Sequence, residues 1–200
     1  GLRTLLDPRV DASSVAVFGQ SSVAVTRILS ATLGLRYTRE RKTIDNFGAR
    51  YLLDGMRLVP GSEYAYSDST LHSAWTPKFG VELKLPRQST AYLTATKGFK
   101  SGGLNPSSTQ PSGGLAPEYA WNYEGGVKTQ LFNGRGRLTV TAFDMNYTNL
   151  QVQTPVGIGV FDIRNAAAAS ITGVELESSW LAGRGFQAGG HVAWLDATYD

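Results

Sequence analysis

Apolar and polar positions alternate with a period of two along most of the 200-residue chain, the pattern of β-strands with two unlike faces. In LSATLGLRYT one face carries Leu29, Ala31, Leu33, Leu35 and Tyr37, and the other Ser30, Thr32, Gly34, Arg36 and Thr38. PKFGVELKL sets Phe79, Val81, Leu83 and Leu85 against Lys78, Gly80, Glu82 and Lys84. WNYEGGVKTQL sets Trp121, Tyr123, Val127 and Leu131 against Asn122, Glu124, Lys128 and Gln130, and TGVELESSW sets Val174, Leu176 and Trp180 against Glu175 and Glu177. Elsewhere the alternation is weaker: VTAFDMNYTNL separates Phe143, Met145 and Tyr147 from Asp144, Asn146 and Thr148, and Lys97 interrupts an otherwise apolar face. The pattern predicts about eight strands, near 13–25, 28–40, 71–85, 90–101, 118–132, 137–152, 170–182 and 186–199.

The connections between them fall into two sets. Short turns are expected at Thr26-Arg27, PRQS (86–89), NGRG (133–136) and GRG (183–185), with glycines supplying positive φ. Long loops are expected over 41–70, 102–117 and 153–169. Consecutive antiparallel strands turn at alternate ends of a sheet, so all short turns lie at one end and all long loops at the other. Strands of ten or more residues with that asymmetry fit an outer-membrane barrel, in which lipid requires every backbone group to be paired internally. A soluble β-sandwich alternates too, but its strands are usually shorter and its apolar face richer in Val, Ile and Leu.

Composition narrows the chemistry. No stretch approaches the ~18 uninterrupted apolar residues of a membrane helix, which leaves a strand-built membrane protein open. There is no cysteine, and His72 and His191 are the only histidines, so neither a disulfide scaffold nor a histidine-rich metal site is expected, and no cofactor is indicated. The net charge of +3 is spread along the chain and not clustered, which argues against nucleic-acid binding. No GxSxG motif occurs, and GRG and VGIGV open no helix after a strand, so enzymatic activity is not expected. Each short turn carries an arginine, Arg27, Arg87, Arg135 or Arg184, read as a solvated turn residue.

The ordered set TPKFG (76–80), GFKSGG (98–103), PEYAWNYEGGVK (117–128) and TGVELE (172–177) resembles consecutive strands of the barrel domain of TonB-dependent outer-membrane receptors. The resemblance covers nearly the whole chain except about 42–68. It implies an all-β, antiparallel up-and-down transmembrane segment of about eight strands within a barrel of about 22, about a third of the wall. It further implies an outer-membrane transport receptor of a Gram-negative bacterium, taking up a ferric siderophore or similar scarce nutrient with energy from TonB. Residues 1–200 then form part of a barrel domain, without the plug and the TonB-contacting N-terminal region. The partners implied are outer-membrane lipid, the plug, the remaining strands, TonB and a small-molecule chelate.

Two sets of candidate residues follow. Glu82, Lys84, Glu124, Lys128, Glu175 and Glu177 stand on polar faces and are expected to face the lumen. In the long segment NFGARYLLDGMRLVPGSEYAYSDS, Arg50, Arg57, Tyr64 and Tyr66 combine cations and rings suited to an anionic, ring-bearing chelate. Two further readings remain at this point: a self-contained eight-stranded structural or adhesive barrel, whose first strand must pair with its last, and a soluble β-sandwich binding module.

Overall fold

The computed structural model describes residues 1–111, 113–157, 160–183 and 185–199. It contains nine strands: β1 (Leu2–Ala24), β2 (Leu29–Leu52), the two-residue β3 (Arg57–Leu58), β4 (Tyr64–Leu85), β5 (Ser89–Lys100), β6 (Glu118–Leu131), β7 (Gly136–Gly157), β8 (Val160–Leu181) and β9 (Gln187–Tyr199). Among the described residues there is no helix. One antiparallel sheet runs β1-β2-β4-β5-β6-β7-β8-β9, with β3 on the end of β2. Chain order is therefore spatial order, the up-and-down meander expected from the alternating turns.

The sheet is open. Among the described residues β1 pairs only with β2 and β9 only with β8, and both are exposed along their whole length. An eight-stranded barrel closed on itself would join these two strands, and a sandwich would lay a second sheet over the first; neither arrangement is present.

Two expected loops are largely strand. β2 continues to Leu52 and β4 begins at Tyr64, and β7 and β8 extend to Gly157 and from Val160 through the segment expected to be a loop at 153–169. β1 likewise starts at Leu2 and not near 13. Beyond the span of a bilayer both faces of a strand meet water or protein, so the apolar–polar contrast fades while the ladder persists. The 102–117 loop remains a loop.

At the other end the turns are short, but glycine carries only part of their geometry. Arg87 and Gln88 both have positive φ, 59° and 56°, in a turn without glycine, and Phe132 and Asn133 share the role with Gly134. Two successive positive φ values give the twist that matches a right-handed hairpin. Arg184 lies outside the described residues.

Residues paired across an antiparallel ladder point to the same side. Leu33 pairs with Phe79, Phe79 with Ala95, Ala95 with Tyr123, and Val127 with Val140, which pairs with Leu176 and through it with Val192. This outward face holds the large exposed apolar side chains, among them Leu33 at 62%, Leu93 at 63% and Val192 at 70%. Aromatic rings bracket it. Phe132 and Trp180 lie 5.7 Å apart beside the short turns, and Tyr37 and Trp75 lie 4.8 Å apart toward the long hairpins, as do the stacked Trp121 and Tyr123. Amphipathic rings favour the headgroup level, so the two girdles mark the rims of a lipid-width belt. Lys97, the residue that interrupted an apolar face, does point outward, and its ammonium rises 4.4 Å over the Tyr119 ring at the upper rim.

β7 resolves its ambiguous alternation against expectation. Phe143 pairs with Glu124 and so shares the polar face with Met145 and Tyr147, while Asp144 and Asn146 stand outward opposite Tyr123 and Trp121. Those two polar side chains stand level with the Trp121 and Tyr123 rings, at the end of the apolar stretch of this face.

Candidate ligand-binding face

The opposite face of the sheet is polar. One register row runs Lys84, Thr90, Lys128, Thr139, Glu177, His191, and the next runs Glu82, Tyr92, Gly126, Thr141, Glu175. Glu124 stands one row above, opposite Thr94 and Phe143. Glu82, Lys84, Glu124, Lys128, Glu175 and Glu177 are thus brought onto one surface. Tyr92 organises its centre: the phenol donates to Glu124 Oε1 at 2.7 Å, lies 3.0 Å from Thr141 Oγ1, and carries Lys128 Nζ 4.8 Å above its ring. The ring fits because position 126 is glycine; a Cβ there would sit 2.7 Å from the Val140 carbonyl and 2.9 Å from the Tyr92 ring.

Above the upper girdle the polar face acquires a cover. The 101–117 loop folds back across it and is fastened to the β2–β4 hairpin on one side and the β7–β8 hairpin on the other. On the first side Asn46, 2% exposed, donates from Nδ2 to the carbonyls of Pro106 and Ser108, each at 3.0 Å. Two carbonyl acceptors fix which end of the amide faces the loop. Tyr66 donates to the Ser108 carbonyl at 3.1 Å. Gly102 lies against His72 so closely that a Cβ would overlap the imidazole and the Leu115 carbonyl. Ile44 beneath the cover is 1% exposed.

On the second side Gln151 donates from Nε2 to the carbonyls of Ser101, at 3.2 Å, and Ala116, at 2.9 Å, spanning both ends of the loop. Asn165 holds Ala116 through both its amide and its carbonyl, and Asn105 donates to Asp162. A bulge around Asn149, at φ 56°, turns the β7–β8 hairpin toward the loop; asparagine tolerates this left-handed backbone better than most residues. The neck is closed by Glu118, 7% exposed, which pairs with Lys100 at 2.9 Å and accepts the Gln151 backbone N–H at 2.5 Å. The family-like segments GFKSGG and PEYAWNYEGGVK therefore meet through their lysine and first glutamate.

Of the four candidates in the upper segment, two come together. Tyr64 and Tyr66 stack with ring centroids 6.2 Å apart and planes at 26°, Tyr64 lying over Gly48. Burial, helped by neighbouring Tyr66, pushes the Tyr64 phenol above its ordinary pKa, so it remains protonated at neutral pH. Tyr66 already uses its hydroxyl to hold the loop. Arg50 and Arg57 stand exposed toward the hairpin end, where the β3 ladder puts Arg57 opposite Leu52. Asn46 Oδ1, Tyr64 OH and Asp68 Oδ2 are buried without a hydrogen-bond partner among the described residues. They occupy adjacent register positions, since Gly48 pairs with Tyr64, Asn46 with Tyr66 and Ile44 with Asp68. Asn46, Gln151, Asn165 and Asp162 were not singled out from the sequence, because isolated polar residues in a polar segment give no periodic signal.

Comparison with known proteins agrees with this architecture. The family model described as TonB dependent receptor-like, beta-barrel matches residues 3–200. The chain is 26% identical over 188 residues to the metal-pseudopaline receptor CntO of Pseudomonas aeruginosa, covering 94% of this chain and 24% of that protein. Among solved structures, the ferric yersiniabactin uptake receptor FyuA from Yersinia pestis superposes with a TM-score of 0.81 at 17% identity, over 98% of this chain and 28% of that one. The siderophore receptor PiuA from Acinetobacter baumannii gives 0.74 at 18% identity, over 96% and 26%. The chain thus spans about a quarter of the length of the curated relative it matches.

Proposed function

Since the chain belongs to the TonB-dependent receptor β-barrel family, we propose that it forms about a third of the wall of a larger outer-membrane barrel of about 22 strands that takes up an anionic metal chelate with energy delivered through TonB. The single observation that carries this reading is a two-faced open sheet whose edge strands, among the described residues, have no partner on their outer sides: a wall that needs further strands on each side to close. The apolar face then meets lipid. The polar face, with Glu82, Lys84, Glu124, Lys128, Glu175 and Glu177, lines the lumen against a plug domain. The upper face receives the chelate outside the membrane, with Arg50 and Arg57 supplying charge and Tyr64 and Tyr66 supplying rings.

Two measurements test this in the receptor that contains the segment. Single cysteines at 123 and 127 should resist a water-soluble maleimide, and cysteines at 124 and 128 should react once the plug is displaced; the opposite labelling would mean that the faces are inverted. Uptake of a ferric chelate should collapse when the proton-motive force is removed, and Arg50→Gln with Arg57→Gln should weaken chelate binding about 150-fold, taking each of the two charge-assisted contacts at about 1.5 kcal/mol, the low end of its usual worth. Uptake that survives loss of the proton-motive force would remove TonB from the account.

A further inference from the structure

Directly above the Tyr37–Trp75 pair, on the outward face, β2 carries Arg39 and then Arg41, both exposed. Neither forms an ion pair among the described residues; the salt bridges here lie elsewhere, and Glu40 and Lys42 pair with each other on the opposite face. Arg39 is flanked by Val15 and Ser73, and Arg41 by Ser13 and Leu71. The patch therefore offers two guanidinium forks and two hydroxyls, with exposed Val15 and Leu71 beside them. The nearest carboxylates on this face, Asp11 and Asp45, stand further from the lipid belt, at and beyond the Thr43 row. Lys97, on the far side of Trp75, adds a third outward cation at the same rim.

A cation pair placed just outside an aromatic girdle sits at phosphate depth in a bilayer, and the guanidinium fork matches phosphate bidentately. We propose that Arg39 and Arg41, with Lys97 extending the belt, bind the phosphate of an anionic lipid in the outer leaflet, so that a lipid is held against this side of the wall. This rests on the outward face being the lipid face. The charge, the hydroxyls and the apolar flank each match one part of such a lipid: phosphate, its remaining oxygens, and the upper acyl chain.

The test uses the receptor containing this segment, in vesicles of phosphatidylcholine doped with phosphatidic acid, followed by mild-detergent extraction and native mass spectrometry of the bound lipid. Phosphatidic acid should be retained over phosphatidylcholine. Arg39→Gln with Arg41→Gln should weaken retention about 25-fold, about fivefold per cation, Lys97→Gln should weaken it by a further smaller factor, and the charge-matched pair Arg27→Gln with Arg87→Gln, at the short turns, should leave it unchanged. If the double variant fails to fold, salt decides on the unaltered protein: bound phosphatidic acid should be released by high salt, and retention through such a wash would overturn the proposal. Equal retention by the Arg39/Arg41 variant would overturn it too. Displacement by inorganic phosphate at matched concentration would show a site for free phosphate and refute the lipid assignment. A spin label at Leu33, read for collision with oxygen against a water-soluble relaxant, separates the two levels: a water-accessible label overturns the face assignment, and a lipid-accessible label with unchanged retention overturns the lipid site alone.

Discussion

Leu93→Arg should destabilise the folded barrel by about 1–3 kcal/mol, between the cost of arginine at the lipid midplane of a barrel strand and its cost near an interface, whereas Thr94→Arg one residue along should cost under about 1 kcal/mol. Leu93 is 63% exposed, pairs with Val81 and Gly125, and lies one outward row inside the Tyr123 row, within the belt bounded by the Phe132–Trp180 and Trp121–Tyr123 rings. Its side chain packs over Gly125, where a Cβ would come within 2.7 Å of it. Thr94 faces the other way, between Gly80 and Glu124, where an added cation finds a carboxylate. Reversible denaturant unfolding of the receptor in lipid vesicles would measure both. Equal costs for the two substitutions would refute the two-faced wall, and a larger cost at Thr94 would mean that the faces are reversed.

Glu118→Ala should release the 101–117 cover from its neck, at a cost of about 2–3 kcal/mol. The Coulombic part is modest, because the Lys100 side chain is 60% exposed and regains water when its partner goes. The larger part is the Gln151 backbone N–H, which loses its acceptor Glu118 Oε1, together with the Gln151 side chain that holds both ends of the loop. Glu118→Gln keeps an acceptor and should cost about half as much. Hydrogen exchange across 101–117 should quicken in the alanine variant while β5 and β6 below the girdle keep their protection. Unchanged exchange in the loop would show that Asn46, Tyr66 and Asn165 hold it without the neck.

The alternating part of this fold is legible in the sequence because the two faces of the sheet carry opposite chemistry on successive residues. β5 and β6 fall at Ser89–Lys100 and Glu118–Leu131, within a residue or so of the expected 90–101 and 118–132. Beyond the girdles that contrast ends, and the reading with it. In the upper part of β2 the inner residues Ile44 and Asn46 are buried by a loop more than fifty positions away, while Phe47 stands exposed outside. Apolarity there no longer tells inside from outside, so a strand reaching Leu52 reads as a loop. The same holds for the site. Tyr64 and Tyr66 could be chosen for their rings, and they do stack. Asn46 and Gln151 matter because of which carbonyls lie opposite them, and that depends on the bulge at Asn149 and the path of the 101–117 segment. The short turn at Arg87-Gln88 falls where it is expected, but without the glycine expected to supply its positive φ: backbone twist demanded by the hairpin overrides the preference for glycine.

The meander also sets how such a wall can assemble. Every long strand bonds to its chain neighbour, so each pairing closes only a short stretch of chain and costs little loop entropy, apart from the reach across 101–117. In a barrel built from these strands the seam, where the first strand meets the last, is the one pairing between segments remote in sequence. It is therefore expected to form late and to limit the rate of closure. Until then the two strands that will form the seam, wherever they lie in the full barrel, expose rows of unpaired backbone donors and acceptors, a surface that recruits other chains as readily as its own. A folding partner that shields one edge until the ring closes would suppress that side reaction, and strands would be gained or lost in evolution most cheaply as whole hairpins, since a single strand added alone would reverse the direction of every strand after it.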